Sequence, residues 1–345
     1  MAGGNLSQMP SDVATEPLLS VRGLKTYFHT FGGVVKAVDG VSFDLAAGEI
    51  MGLVGESGGG KSMIGFSIMG LIDAPGRIEA GQIIFGGQDL AQLDEAQIRK
   101  IRGKEIAMIF QDPMTALNPL YTIGNQIEEM LKLHTSLNRA QRRERAIQML
   151  HQVGISQPEE RLGNYPHQFS GGMRQRVVIA IAMIAGPRLL IADEPTTALD
   201  VTIQAQLLRL MRQQVEDSGA SLILITHDLA AVSQMADKIT VLYCGRIVER
   251  GLAQEIIARP RHPYTRGLID SIPQHTAERK RRLSQIPGTV PDIRTLPPGC
   301  TFAPRCSHAA DICRNSDPAL SATSASHAVA CHFPLAGPVL SGDAP

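Results

Sequence analysis

The stretch Gly55-Glu56-Ser57-Gly58-Gly59-Gly60-Lys61-Ser62 constrains this chain more than any other. It follows an apolar strand-like run, Glu49 to Val54, and leads into a helical pattern, Lys61 to Leu71. Strand, glycine turn and helix in that order gather backbone N–H groups around one point, with the positive end of the helix behind them. That arrangement suits a phosphate chain. Lys61 is placed to reach the β- and γ-phosphates of a nucleotide, and the Ser62 hydroxyl to ligate Mg²⁺. The bland alternative, a glycine turn without a ligand, leaves the flanking strand and helix unexplained.

The rest of the chain supplies a matching scaffold. Leu18 to Phe28 and Val41 to Leu45 read as strands, and Leu189 to Ala192 and Leu222 to Ile225 as buried ones. Helical patterns between them predict a parallel sheet covered on both faces. The run Leu189 to Pro195 ends in two acids: Asp193 is positioned to hold Mg²⁺, and Glu194 to polarise an attacking water. A helical insertion breaks the pattern over about 112–186. Thr122 caps one helix with Ile123, Ile127, Met130 and Leu131 on a common face. A second helix runs from about Arg139 to Val153 and stops at Gly154. Beyond Leu252 frequent prolines predict a loop-rich tail.

Composition narrows the partners. Lys plus Arg balance Asp plus Glu, so the formal net charge is zero, and Trp is absent. A phosphate-holding nucleic-acid binder needs a basic excess, so no nucleic-acid partner is expected. The basic clusters Arg139 to Arg145 and Arg279 to Arg282 read as solvated surface. No apolar run approaches the roughly 20 residues that span a bilayer. Met1 to Pro17 lacks the order of a secretory signal and is expected to be a disordered lead-in. A soluble, cytoplasmic protein is the expectation.

With these residues in hand, the chain resembles the ABC-type ATPase family over about residues 18–255. The family's diagnostic turn is Phe169-Ser170-Gly171-Gly172-Met173, again small residues opening a helix. The resemblance implies an α/β fold: a P-loop NTPase (RecA-like) core with an antiparallel β subdomain, a helical insertion and a loop-rich C-terminal accessory tail. It implies that Ser170, Gly171 and Gly172 bind the γ-phosphate of ATP held by the opposite subunit. Gln111 is implied as a Mg²⁺ and water ligand, and Asp200 belongs to the same series. His227 is implied as a γ-phosphate contact; a lone histidine at a strand end is otherwise a structural residue. An aromatic near the first strand stacks on adenine, with Phe28 expected by register and Tyr27 and Phe31 as alternatives. Met173 and Phe169 depart from the family's usual glutamine and leucine, leaving the backbone donors intact but the turnover of the composite site open.

The closer resemblance is to the D-type ATPase subunit of bacterial oligopeptide/dipeptide/nickel importers. It is carried by Phe110 to Pro119, Ser170 to Arg176, Asp193 to Thr202, His262-Pro263-Tyr264-Thr265 and Leu268 to Pro273. It implies a heterodimer with a second ABC ATPase subunit, docked peripherally under two membrane permeases on the cytoplasmic face and fed by a substrate-binding protein. Residues 256–345 form the extension of such subunits. Its cysteines follow C-x5-C-x6-C-x17-C at Cys300, Cys306, Cys313 and Cys331. Clustered thiols in a cytoplasmic protein point to a metal. A 4Fe–4S cluster is the expectation, with zinc helped by His308 or His332, or unligated thiols, as alternatives. Cys244 reads as a small buried residue. Peptides are the expected cargo, nickel a related one. A soluble ATPase acting on nucleic acid or the ribosome is the alternative from another class.

Overall fold

The computed structural model describes residues 16–112, 116–196, 200–272 and 285–336. The lead-in through residue 15, the second basic cluster and parts of the motifs at 113–115 and 197–199 lie outside the described residues. Strands β1 (Leu19–Thr30), β2 (Gly33–Leu45), β4 (Gly76–Phe85) and β5 (Gln88–Asp89) form one antiparallel sheet in the order β2-β1-β4-β5. A larger sheet takes β3 (Ile50–Val54), β6 (Ile106–Ile109), β7 (Leu189–Asp193), β8 (Ser221–Thr226), β9 (Lys238–Tyr243), β10 (Arg246–Leu252), β11 (Ser321–Ala322) and β12 (Ala328–Val329). Its order is β11-β12-β10-β9-β3-β8-β7-β6. The five strands from β9 to β6 are parallel, so their carboxyl ends lie along one edge. Ligands of open α/β sheets bind at that edge.

Both faces of the parallel sheet are buried, as its near-continuous apolar strands require. On β8, Ile223 and Ile225 face a core shared with the antiparallel sheet and helix α1 (Lys61–Met69). Leu222 and Leu224 face the opposite core. That second core is covered by α2 (Ile123–His134), α3 (Arg139–Gln152), α4 (Gly171–Met183) and α5 (Val201–Ser218). Thr122 caps α2 by accepting from the Asn125 N–H, and Ile123, Ile127 and Leu131 are its buried stripe. Asn138 and Gln141 form a capping box at the start of α3.

The C-terminal extension is more tightly docked than its prolines predict. Helix α6 (Pro263–Asp270) packs on the second core, and β12 pairs with β10 as a further antiparallel strand. The anchor is Glu249 on β10, which is fully buried. Its carboxylate accepts from the backbone N–H groups of Arg261 at 2.5 Å and His262 at 3.0 Å, and pairs with His327 Nε2 at 2.7 Å. A buried carboxylate is tolerable only when so satisfied.

Candidate functional site

The phosphate loop connects β3 to α1, and its glycines answer to close backbone packing. A Cβ on Gly55 would stand 2.3 Å from the Leu242 carbonyl oxygen, and one on Gly60 2.1 Å from that of Ala37. Gly60 also caps α1 in the left-handed region at φ 90°. The Gly245 N–H donates to the Gly59 carbonyl at 3.0 Å, so the turn after β9 braces the loop from below. Ser57 and Gly58 are exposed at its crest.

Lys61 is 4% exposed, and its Nζ donates to the carbonyls of Gly55 at 2.9 Å and Glu56 at 3.0 Å. Burial pulls its pKa below the ordinary lysine value, against the opposing fields of Glu194, Asp193 and Glu56. Beside it, Ser62 Oγ donates to Asp193 Oδ1 at 2.9 Å. Burial raises the Asp193 pKa more than the Ser62 bond lowers it, and Glu194 adds to the rise. A hydroxyl and a carboxylate converging next to the loop are hard oxygen donors that suit Mg²⁺.

Three sequence-predicted catalytic residues meet at the same edge. Glu194 follows β7 with φ 45°, a left-handed conformation rare for a side-chain-bearing residue and enriched at functional sites. Its N–H is held by the Ile225 carbonyl at 2.8 Å. Gln111, two residues beyond β6, donates from Nε2 to Glu194 Oε2 at 3.1 Å. His227, directly after β8, brings Nδ1 to 3.3 Å from Glu194 Oε1. Strand ends thus assemble what three distant motifs encode.

Other predicted residues stand apart. Ser170 caps α4 by accepting from the Met173 N–H at 3.3 Å, with Ser170 and Gly171 exposed. Phe169 is buried, 3% exposed, and anchors this turn where the family carries leucine. Asp200 caps α5, accepting from the Ile203 N–H at 2.9 Å. Among the described residues no hydrogen bond or ion pair joins the Ser170 turn or Asp200 to the phosphate loop.

The three candidate aromatics differ in their surroundings. β1 pairs Phe28 with Gly76, and a Cβ on Gly76 would lie 2.5 Å from the Phe28 ring. Ile72, three residues beyond the end of α1, lies beside the same position, 2.9 Å from that Cβ. Tyr27 donates its hydroxyl to Asp39 at 2.6 Å. Phe31 is fully exposed at the β1–β2 turn.

The four tail cysteines do converge, with His262, His308 and His332, on one cavity. The cavity holds only about 10 Å³, the room of roughly one water. No group of three or more His, Cys, Asp or Glu among the described residues is set to hold a metal ion. Burial raises the pKa of Cys300 and Cys306 and pushes that of Cys331 up to about 11. Cys244 is buried, as its isolation in the sequence implies.

Sequence reasoning missed Tyr264 and Arg305, both of which touch Glu56 in the phosphate loop. Tyr264 stands in the recognisable His262-Pro263-Tyr264-Thr265 stretch, but nothing local ties it to a loop 208 residues earlier.

A phosphate loop between a parallel strand and a helix, facing a strand-end glutamate with a glutamine and a histidine, defines a nucleotide-hydrolysing ATPase. Comparison with known proteins narrows that class. A family model described as ABC transporter matches residues 38–197, and one described as the oligopeptide/dipeptide transporter C-terminal region matches 248–313. The dipeptide transport ATP-binding protein DppD of Escherichia coli K12 is 50% identical over 318 residues, covering 92% of this chain and 97% of that protein. DppD of Bacillus subtilis strain 168 is 49% identical over 333 residues, covering 95% and 99%. Among solved structures, the dimeric ATP-binding cassette MJ0796, in a post-hydrolysis state with ADP and Pi, is similar at TM-score 0.61 and 25% identity. It covers 68% of this chain and 98% of that one. The chain belongs to the ABC transporter family.

Proposed function

We propose that this chain hydrolyses ATP to power peptide import, working with membrane permeases fed by a substrate-binding protein. The observation that carries it is the convergence of Gln111, Glu194 and His227 beside Lys61 and Asp193 at one sheet edge. Lys61 moves from the Gly55 and Glu56 carbonyls to the β- and γ-phosphates when ATP arrives. Ser62, Asp193 and Gln111 would hold Mg²⁺, which when bound would neutralise phosphate charge. Glu194 takes the proton of the attacking water, while Gln111 and His227 orient it and the γ-phosphate. Ser170, Gly171 and Gly172, at the start of α4 with the first two exposed, serve the nucleotide of a second ABC ATPase subunit, a heterodimer partner. Asp200 lies at that same interface.

A groove of about 580 Å³ between the end of α1 and the insertion, lined by Met69, Met108, Phe110, Met130 and Ile181, supports permease docking. Phe110 is 42% exposed there and precedes Gln111, linking the groove to the active site. No helix among the described residues is long and apolar enough to cross a membrane. Peripheral attachment at the cytoplasmic face of the inner membrane fits such docking. The named relatives transport dipeptides, which favours peptides over nickel and over the reading of a soluble ATPase acting on nucleic acid or the ribosome. The test is ATP-driven uptake of labelled dipeptide into vesicles holding the assembled transporter: Lys61→Ala abolishes it, and uptake at the wild-type rate would refute the role of the loop.

Two finer readings accompany this one. Phe31 stacks on adenine, because Phe28 is committed to Gly76 and Tyr27 to Asp39. Base stacking on an aromatic is worth about 1–3 kcal/mol, so Phe31→Ala should raise the KM for ATP about tenfold; Phe28→Ala should lower stability with KM unchanged. Cys300, Cys306, Cys313 and Cys331, which line one cavity, are the residues that would hold an iron–sulfur cluster. Anaerobically purified protein should then contain iron and acid-labile sulfide in equal amounts; zinc alone, or neither metal, is evidence against the cluster.

A further inference from the structure

Among the described residues, the hydrogen bonds from the C-terminal extension to the phosphate loop meet at Glu56. The Glu56 backbone N–H donates to the Tyr264 hydroxyl at 2.7 Å. Its carboxylate receives two parallel bonds from Arg305, Nη1 to Oε2 at 2.6 Å and Nη2 to Oε1 at 3.0 Å. Arg305 is itself fixed: Nε donates to the Pro287 carbonyl at 2.9 Å, and Nη1 also donates to the Tyr243 hydroxyl at 3.2 Å. Its side chain is only 4% exposed. Tyr264 is wholly buried, its ring 4.7 Å from that of Tyr243 and 5.4 Å from that of Phe302. Exposed ion pairs contribute little, but a planar guanidinium fork on a carboxylate in a buried setting fixes geometry. The carbonyls of Gly55 and Glu56 are also those on which Lys61 Nζ rests. One short segment is thus held by the extension on one side and holds the phosphate-binding lysine on the other.

We infer that Tyr264 and Arg305 are positioning residues for ATP: the extension keeps the first peptides of the loop in the shape that receives phosphate. The affinity of this site for ATP is then a property of the core and extension together. The inference rests on Gly55 to Ser62 being the ATP loop.

The test uses the full-length chain carrying Tyr264→Phe, Arg305→Lys, Arg305→Met, Glu56→Gln, or Glu56→Gln with Arg305→Met. Binding of MgATP is titrated, KM and kcat are measured separately, and melting is recorded. Losing one or two oriented hydrogen bonds corresponds to about a fivefold to thirtyfold change. Tyr264→Phe and Arg305→Met are expected to weaken ATP binding and raise KM by about that factor, with kcat at saturation within about twofold. Arg305→Lys should recover part of the affinity. The double variant should bind no worse than Arg305→Met alone, since both partners act through one contact. Wild-type affinity in Tyr264→Phe, which removes a single oxygen, overturns the inference even if the arginine variants fail to fold. Losses at Glu56 and Arg305 that simply add also overturn it. Lys61→Ala separates the two readings: retained ATP binding there refutes the loop itself. Lost binding there beside a wild-type Tyr264→Phe refutes only the clamp.

Discussion

Replacing Glu194 by glutamine is expected to lower steady-state MgATP hydrolysis about 10²- to 10³-fold while leaving ATP binding intact. Glutamine keeps the length and shape of the side chain, so the Gln111 and His227 neighbours at 3.1 and 3.3 Å remain in place. The capacity to accept the proton of water is removed, together with the negative charge that Lys61 and Asp193 feel. The backbone at φ 45° is secured by the Ile225 carbonyl and not by the carboxylate, so the strand end should survive the change. The loss corresponds to about 3–4 kcal/mol of barrier, in the range one general base supplies. Phosphate release measured with saturating MgATP reads it directly, and a wild-type rate would move the base elsewhere.

Gly60→Ala should be almost as damaging by a different route: ATP binding lost by about 10²-fold or more, with the fold strained. The new Cβ meets the Ala37 carbonyl oxygen at 2.1 Å and the Gly245 Cα at 3.3 Å. Both obstacles are backbone, and neither yields without moving β2 or the turn after β9. Gly60 also sets the first N–H groups of α1, so any shift turns the donors away from the phosphate. Gly58→Ala is the matched control. Its φ of 78° is equally left-handed, but nothing lies within 4 Å of its Cβ. The cost there is backbone strain alone, about 1–2 kcal/mol. Nucleotide titrations of the two variants separate crowding from strain; equal losses would mean that loop conformation, not contact with Ala37, governs the site.

What was legible in the sequence was local. Phosphate loop, strand-borne acids and capped insertion helices each lie within a dozen or so neighbouring residues, where periodicity and capping chemistry operate. The parallel sheet then did the remaining work by bringing the ends of β3, β6, β7 and β8 to one edge. The adenine-stacking aromatic is not legible because β1 departs from simple alternation: register shifts occur near Leu24 and between Thr26 and Tyr27, and no pattern along the chain tells which ring they leave free. The docking of the tail was invisible for another reason. Glu249 meets His327 across 78 residues and Glu56 meets Arg305 across 249, and no pattern along the chain encodes such pairs. The cysteines lie together at one cavity, as their clustering in the tail implies, but spacing says nothing of how closely they pack.

Coupling between cargo and hydrolysis tests the account most directly. In vesicles holding this chain with its partner ATPase and permeases, MgATP hydrolysis is measured with and without dipeptide-loaded binding protein. The account predicts that the loaded binding protein stimulates hydrolysis several-fold and that labelled dipeptide accumulates in step with phosphate release. Hydrolysis indifferent to the loaded binding protein, with no dipeptide accumulated, would contradict it.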